Sequence, residues 1–206
     1  MQKDEGILLE LRNYAQANNV PIVQPEVARL IFILGSILKP SKILEIGTAI
    51  GYSSILLSQL LRPGGIIDSI ESNDTMVELA KENVKKAGCK DIINIIEGDA
   101  IEVLPYLYKK YDFIFLDAAK GQYPEFFPHC FRMLSDGGVL VSDNVLYKGM
   151  VANDELVVKR KKTIVRRLRD YLNTICNDVN LETSILPIGD GVAISYYCSE
   201  VKDKNR

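Results

Sequence analysis

From residue 42 onward, short β-rich apolar runs alternate with stretches of helical periodicity. The runs are Lys42–Ile46, Gly65–Glu71, Ile92–Glu97, Phe113–Asp117 and Val139–Ser142. The helical stretches between them are Tyr52–Leu61, Asp74–Ala87, Ala100–Lys109 and Tyr123–Leu134. Each crossover is long enough for a right-handed βαβ unit, so the alternation predicts a parallel sheet with helices on both faces. The end of the chain breaks the pattern. A long helix over about 154–176 precedes two further strands, Leu181–Pro187 and Val192–Cys198. The link Ile188-Gly189-Asp190-Gly191 is short and carries glycine, which reads as a hairpin. The expected fold is therefore α/β, with a mostly parallel seven-stranded sheet closed by a C-terminal antiparallel hairpin.

Two helices precede this core. Residues 4–18 place Ile7, Leu8, Leu11, Tyr14 and Ala15 on one side. Pro25 suits the first position of a second helix running to about Leu38. From Val27 to Leu38, Arg29 is the only charge, so this helix is either sandwiched inside or paired with another subunit. A chain of 206 residues, 47% hydrophobic and 25% charged, can bury a full core. No repeat or linker divides it, so a single domain over 1–206 is expected, with helices in 1–40 and the sheet core in 41–206. No apolar run approaches the ~20 residues that span a bilayer. The polar start lacks the apolar stretch of a signal peptide. Cys89, Cys130, Cys176 and Cys198 are scattered and read as small core residues. A cytoplasmic protein without a membrane partner is expected. His129 is the only histidine, which excludes a multi-histidine metal site; it reads as structural.

Chemistry concentrates where strands end. The first strand runs into Gly47-Thr48-Ala49-Ile50-Gly51, and glycines at such a turn let backbone approach a ligand closely. The spacing is not that of the dinucleotide fingerprint G-x-G-x-x-G. Glu71 ends the second strand, where a carboxylate accepts hydrogen bonds from both ribose hydroxyls of an adenosine. Asp99 follows the third strand, positioned for an adenine amino group. Together they indicate an adenosine-type cofactor.

The fourth strand ends in Asp117-Ala118-Ala119-Lys120, and the fifth in Asp143-Asn144. Asp117, Asp143 and Asn144 are hard oxygen donors that suit Mg²⁺. Lysine beside a dication gives up its proton more readily, which makes Lys120 the candidate general base for a metal-bound hydroxyl.

The segments LEIGTAIGYSS, DAAKGQY, SDNVLYKGMV and PIGDGVAIS resemble the metal-dependent O-methyltransferases related to catechol and caffeoyl-CoA methyltransferases. They look most like the branch that converts 5-hydroxyuridine at the wobble position of bacterial tRNA to 5-methoxyuridine. The resemblance covers about residues 18–197. It implies a Rossmann-like fold of the class I methyltransferases, S-adenosylmethionine as cofactor, Mg²⁺ or Mn²⁺ as metal, and a homodimer. It also implies metal ligation by Asp117, Asp143 and Asn144, and proton abstraction by Lys120. Cofactor contacts fall on Val23, Gly47, Ser53, Glu71, Asp99, Ala100 and Asp117. Ser53 would hold the methionine carboxylate. Where catechol enzymes carry aromatic or histidine residues, this chain has Ala118 and Ala119. A more open mouth fits the tRNA anticodon loop; a catechol-like phenol is the alternative acceptor.

The net charge of −2 hides an asymmetry. Between Lys148 and Asp170 there are eight basic and three acidic residues, a local +5 that leaves −7 for the rest. Lys148, Lys159, Arg160, Lys162, Arg166, Arg167 and Arg169 are the candidate phosphate contacts. At helical spacing Ile164, Val165, Leu168 and Leu172 form the buried stripe, and Lys159, Lys162, Arg166 and Arg169 align elsewhere.

Overall fold

Every β-rich run becomes a strand in the computed structural model, which describes residues 4–199. The chain divides into two compact units, residues up to Val103 and residues from Leu104. The first contains helices α1 (Gly6–Asn18) and α2 (Pro25–Leu38), then β1 (Lys42–Ile46), α3 (Tyr52–Ser58), β2 (Ile66–Glu71), α4 (Asp74–Lys86), β3 (Ile93–Glu97) and the single turn α5 (Ala100–Val103). The second contains β4 (Tyr111–Leu116), α6 (Tyr123–Met133), β5 (Leu134–Ser142), α7 (Lys162–Asn177), β6 (Leu181–Leu186) and β7 (Val192–Tyr197). Strand order is β3-β2-β1 in the first unit and β4-β5-β7-β6 in the second, seven strands as expected. The β1–β2, β2–β3 and β4–β5 pairs are parallel, and β7 runs antiparallel to β5 and β6.

Burial explains the choice of strands. Ile43, Leu44 and Ile46 of β1, and Phe113 to Leu116 of β4, are completely buried, as parallel strands covered on both faces must be. Local signals set the helices between them. Asn73 Oδ1 accepts the Met76 N–H at 3.1 Å and caps α4, which ends on Lys85 and Lys86, favourable to its dipole.

Three boundaries differ most from expectation. The helix over 100–109 stops at Val103 and tightens into a 3₁₀ turn at Leu104–Tyr106, because Pro105 has no N–H to continue it. β5 begins at Leu134 rather than Val139. Its first half pairs irregularly with β4 and carries Gly137 at φ 75°, a conformation that glycine tolerates within a strand. The helix over 154–176 starts only at Lys162. Asn153 caps a separate 3₁₀ turn at Asp154–Leu156, the β-branched pair Val157 and Val158 is extended, and a second 3₁₀ turn spans Lys159–Lys161.

α2 buries Val27, Ala28, Ile31 and Gly35 and leaves Ile33 and Ile37 exposed, Ile37 by 77%. Among the four free cysteines only Cys130 is a buried core residue; Cys176 is exposed and the other two are half-buried. Among the described residues no helix is long and apolar enough to cross a membrane.

Candidate active site

The glycine turn after β1 is held by a carboxylate. Gly47, Ala49 and Gly51 have φ of 102°, 46° and 85°, so the chain reverses through three left-handed residues, and Gly51 caps α3. Glu71 Oε2 accepts the Ala49 N–H at 2.8 Å, while Oε1 accepts those of Ser72 and Asn73 at 3.0 and 2.9 Å. A carboxylate has about four acceptor positions, so Glu71 can still take a ligand hydroxyl. The Gly98 N–H donates to the Glu71 carbonyl at 2.9 Å, which brings the Asp99 turn beside it. Asp99 Oδ1 accepts the Ile101 N–H at 2.9 Å and starts α5; Ala100 is buried below it. Val23 and Ser53 are both buried in this unit.

Two supports of this turn went unread in the sequence. Asn83 of α4, buried, donates to the Ile50 carbonyl at 2.9 Å. Beneath the turn, Ser69 donates to the fully buried Glu45 at 2.5 Å and lies 2.6 Å from Thr48 Oγ1; Ser54 also donates to Glu45. On the other side of α3, the Tyr52 hydroxyl is shared between Asp4 and Arg12. Burial, and then Asp4, push the Tyr52 phenol up to about 12, so it stays neutral. A groove of about 630 Å³ runs between α1, α2 and α3, lined by Leu8, Leu9, Ala28, Phe32 and Leu56 among others; none of the sequence-predicted site residues lines it.

In the second unit, Leu116 and Ser142 are register partners in parallel strands. The next residues, Asp117 and Asp143, therefore leave adjacent strand ends, and the Asp143 N–H donates to the Leu116 carbonyl at 3.0 Å. Asp143 is 1% exposed. Burial, and next the charge of Asp117, push its carboxyl up to about 7. Lys120 Nζ donates to Asp117 Oδ1 at 2.6 Å. Asn144, at φ 56°, donates its N–H to Asp143 Oδ1 at 2.7 Å. The structure thus brings Asp117, Lys120, Asp143 and Asn144 together at paired strand ends. Sequence reasoning missed Tyr123, whose buried hydroxyl lies 3.1 Å from the Leu116 carbonyl and 3.0 Å from that of Asp143. Tyr123 stood inside the motif DAAKGQY, but nothing in its spacing marked the hydroxyl as a brace.

The donor chemistry fits a hard dication: two carboxylates, one of them shut away from water beside the other, and an amide oxygen. The set includes only two ionisable ligands. Among the described residues no group of three or more His, Cys, Asp and Glu side chains is placed to hold a metal.

The basic segment splits into two kinds of residue. Lys148, Lys159, Arg160, Lys162 and Arg166 are exposed. Arg167 instead pairs with Glu125 of α6. Arg169 donates to the Val151 and Met150 carbonyls at 3.0 and 3.2 Å and pairs with Asp154 at 2.7 Å. The expected alignment of Lys159 and Arg169 on one helix face does not occur, because Lys159 precedes the helix and Arg169 turns to the loop. Val165, Leu168 and Leu172 are buried as read, and Ile164 is half-buried. His129 is half-buried on α6.

The O-methyltransferase family model matches residues 2–197. A catechol O-methyltransferase of Niastella koreensis is 31% identical over 157 residues, 74% of this chain and 71% of that one. A caffeoyl-CoA O-methyltransferase of Medicago sativa is 29% identical over 97% of this chain and 84% of its own length. Among solved structures, a Staphylococcus aureus protein described as a candidate caffeoyl-CoA O-methyltransferase superposes with a TM-score of 0.87 at 36% identity, covering 94% of this chain and 93% of that one. An O-methyltransferase of Bacillus cereus in complex with SAH gives 0.85 at 26% identity, covering 96% and 93%. The family model and the Niastella relative show that the chain belongs to the O-methyltransferase family.

Proposed function

We propose that this protein is a cytoplasmic, S-adenosylmethionine- and Mg²⁺-dependent O-methyltransferase that converts 5-hydroxyuridine at the tRNA wobble position to 5-methoxyuridine. The observation that carries the chemistry is the group formed by Asp117, Asp143 and Lys120 at two paired strand ends. When bound, the cofactor supplies an electrophilic methyl group and the metal supplies a positive charge beside the acceptor oxygen. Glu71 would hold the ribose, with Gly47, Ser53, Asp99, Ala100 and Val23 forming the rest of the cofactor seat; Asp117 would also belong to it. Asp117, Asp143 and Asn144 would hold the metal. Lys120, which contacts Asp117 in the resting site, would lose its ammonium proton to solvent and, as the amine, take up the proton of the acceptor hydroxyl. The fixed strand ends keep these groups oriented, which supplies much of the rate.

Two features favour RNA over a small phenol. Ala118 is half-buried and Ala119 exposed, so the turn beside Lys120 carries no bulky wall. Lys148, Lys159, Arg160, Lys162 and Arg166 offer exposed cations on the segment that follows Asn144. The similarity to the Niastella catechol enzyme favours the second reading, methylation of a catechol-like phenol. The exposed Ile33 and Ile37 of α2, with Leu9 of α1, favour a homodimer. Labelled S-adenosylmethionine offered with hydroxyuridine-containing tRNA or with catechol separates the acceptors. Label entering tRNA supports the proposal, and label entering catechol alone contradicts it.

A further inference from the structure

We infer that Asp190 and Arg169 are positioning residues: they fix loop 144–154 from two different elements and thereby set affinity for the acceptor rather than for the cofactor. This rests on the proposed function, because the loop begins at Asn144.

The loop backbone is unusual. Asn144, Tyr147 and Lys148 have φ of 56°, 45° and 58°, followed by Gly149 at 76°. Non-glycine residues persist in this region only where their surroundings over-determine them. The link between β6 and β7 supplies that determination at the start of the loop. The Gly191 carbonyl accepts the Val145 N–H at 2.9 Å, and the Asp190 carbonyl accepts the Leu146 N–H at 3.0 Å. The Asp190 carboxylate accepts the N–H of the left-handed Lys148. The approach is so close that a Cβ on Gly191 would collide with the Leu146 side chain.

Arg169 of α7 supplies it at the far end. Its guanidinium donates to the Val151 carbonyl at 3.0 Å and the Met150 carbonyl at 3.2 Å, and pairs with Asp154 at 2.7 Å. The planar fork of arginine suits three acceptors at once, and lysine cannot reproduce it. Within the loop, the Val151 N–H donates to the Leu146 carbonyl at 3.2 Å, which joins the two anchored ends. Asn144 and the exposed Lys148 ride on this strap, whereas Gly47, Glu71 and Asp99 belong to the other unit.

The test measures acceptor KM and S-adenosylmethionine Kd for Asp190→Ala, Asp190→Asn, Arg169→Ala and Arg169→Lys, with catechol and hydroxyuridine-containing tRNA as acceptors. Both alanine variants should raise acceptor KM roughly tenfold or more, as removal of an orienting partner does, with cofactor Kd within about twofold of wild type. Asp190→Asn keeps the acceptor oxygen and should restore most of the loss. Arg169→Lys keeps the charge but not the fork, so its KM should rise even where an alanine variant does not fold. Unchanged acceptor KM in Arg169→Lys, a parallel loss of cofactor affinity, or no rescue by Asp190→Asn overturns the inference alone. No wild-type turnover on either acceptor overturns the proposed function and this inference with it.

Discussion

Lys120 Nζ lies 2.6 Å from Asp117 Oδ1, so the proposed base is held by one of the proposed metal ligands. The pairing places the two proposed roles side by side on one strand end. Lys120→Ala should lower turnover about 10²–10⁴-fold, the range for losing a general base. Calorimetric titration of S-adenosylmethionine should show little change in Kd. Retained turnover would remove Lys120 from the chemistry.

Asp143 carries a built-in pH dependence. Its carboxyl is pushed up to about 7 in the fold from an ordinary 3.8. The folded state therefore holds this proton where the unfolded chain has lost it. Its stabilising contribution is full below about pH 3.8 and is lost as pH rises through about 7. Metal-free wild type should lose thermal stability between about pH 4 and 7 relative to Asp143→Asn, which carries no charge to bury. Mg²⁺ should restore wild-type stability at the alkaline end of that range and leave the variant unmoved. Parallel melting profiles for the two proteins would contradict this.

Glu71 both shapes the glycine turn and keeps a free acceptor position. Glu71→Ala removes a carboxylate that accepts three backbone N–H groups, so it should cost about 1–3 kcal/mol of stability. Cofactor affinity should fall roughly tenfold or more, since about 1.4 kcal/mol is a factor of ten in Kd. Chemical denaturation and calorimetry read the two effects separately.

The arginines of the basic segment should divide in a salt titration. Arg166→Ala with Lys162→Ala should reduce the slope of log K for tRNA against log salt by about 0.7–0.9 for each phosphate no longer neutralised. Arg167→Ala should instead lower stability, since its guanidinium pairs with Glu125. An unchanged slope in the first variant would leave that helix face merely solvated.

Much of this was legible because strand ends follow hydrophobic pattern. The runs over 42–46 and 66–71 are largely buried on both faces, so their ends, and with them Gly47 and Glu71, could be placed by counting. Asp117 and Asp143 were placed the same way. Arg169 was not legible: an arginine on a basic helix looks solvated unless the Met150 and Val151 carbonyls are known to turn toward it. Asp190 was hidden for a similar reason, since its partner is a backbone N–H far along the chain. Long-range bonds between side chain and main chain leave no periodicity to read.

The central claim is tested most directly by nucleoside analysis of tRNA from cells lacking this protein. The account predicts that 5-methoxyuridine disappears and 5-hydroxyuridine accumulates, with the normal pattern restored by wild type and not by Lys120→Ala. Undiminished 5-methoxyuridine in those cells would contradict it.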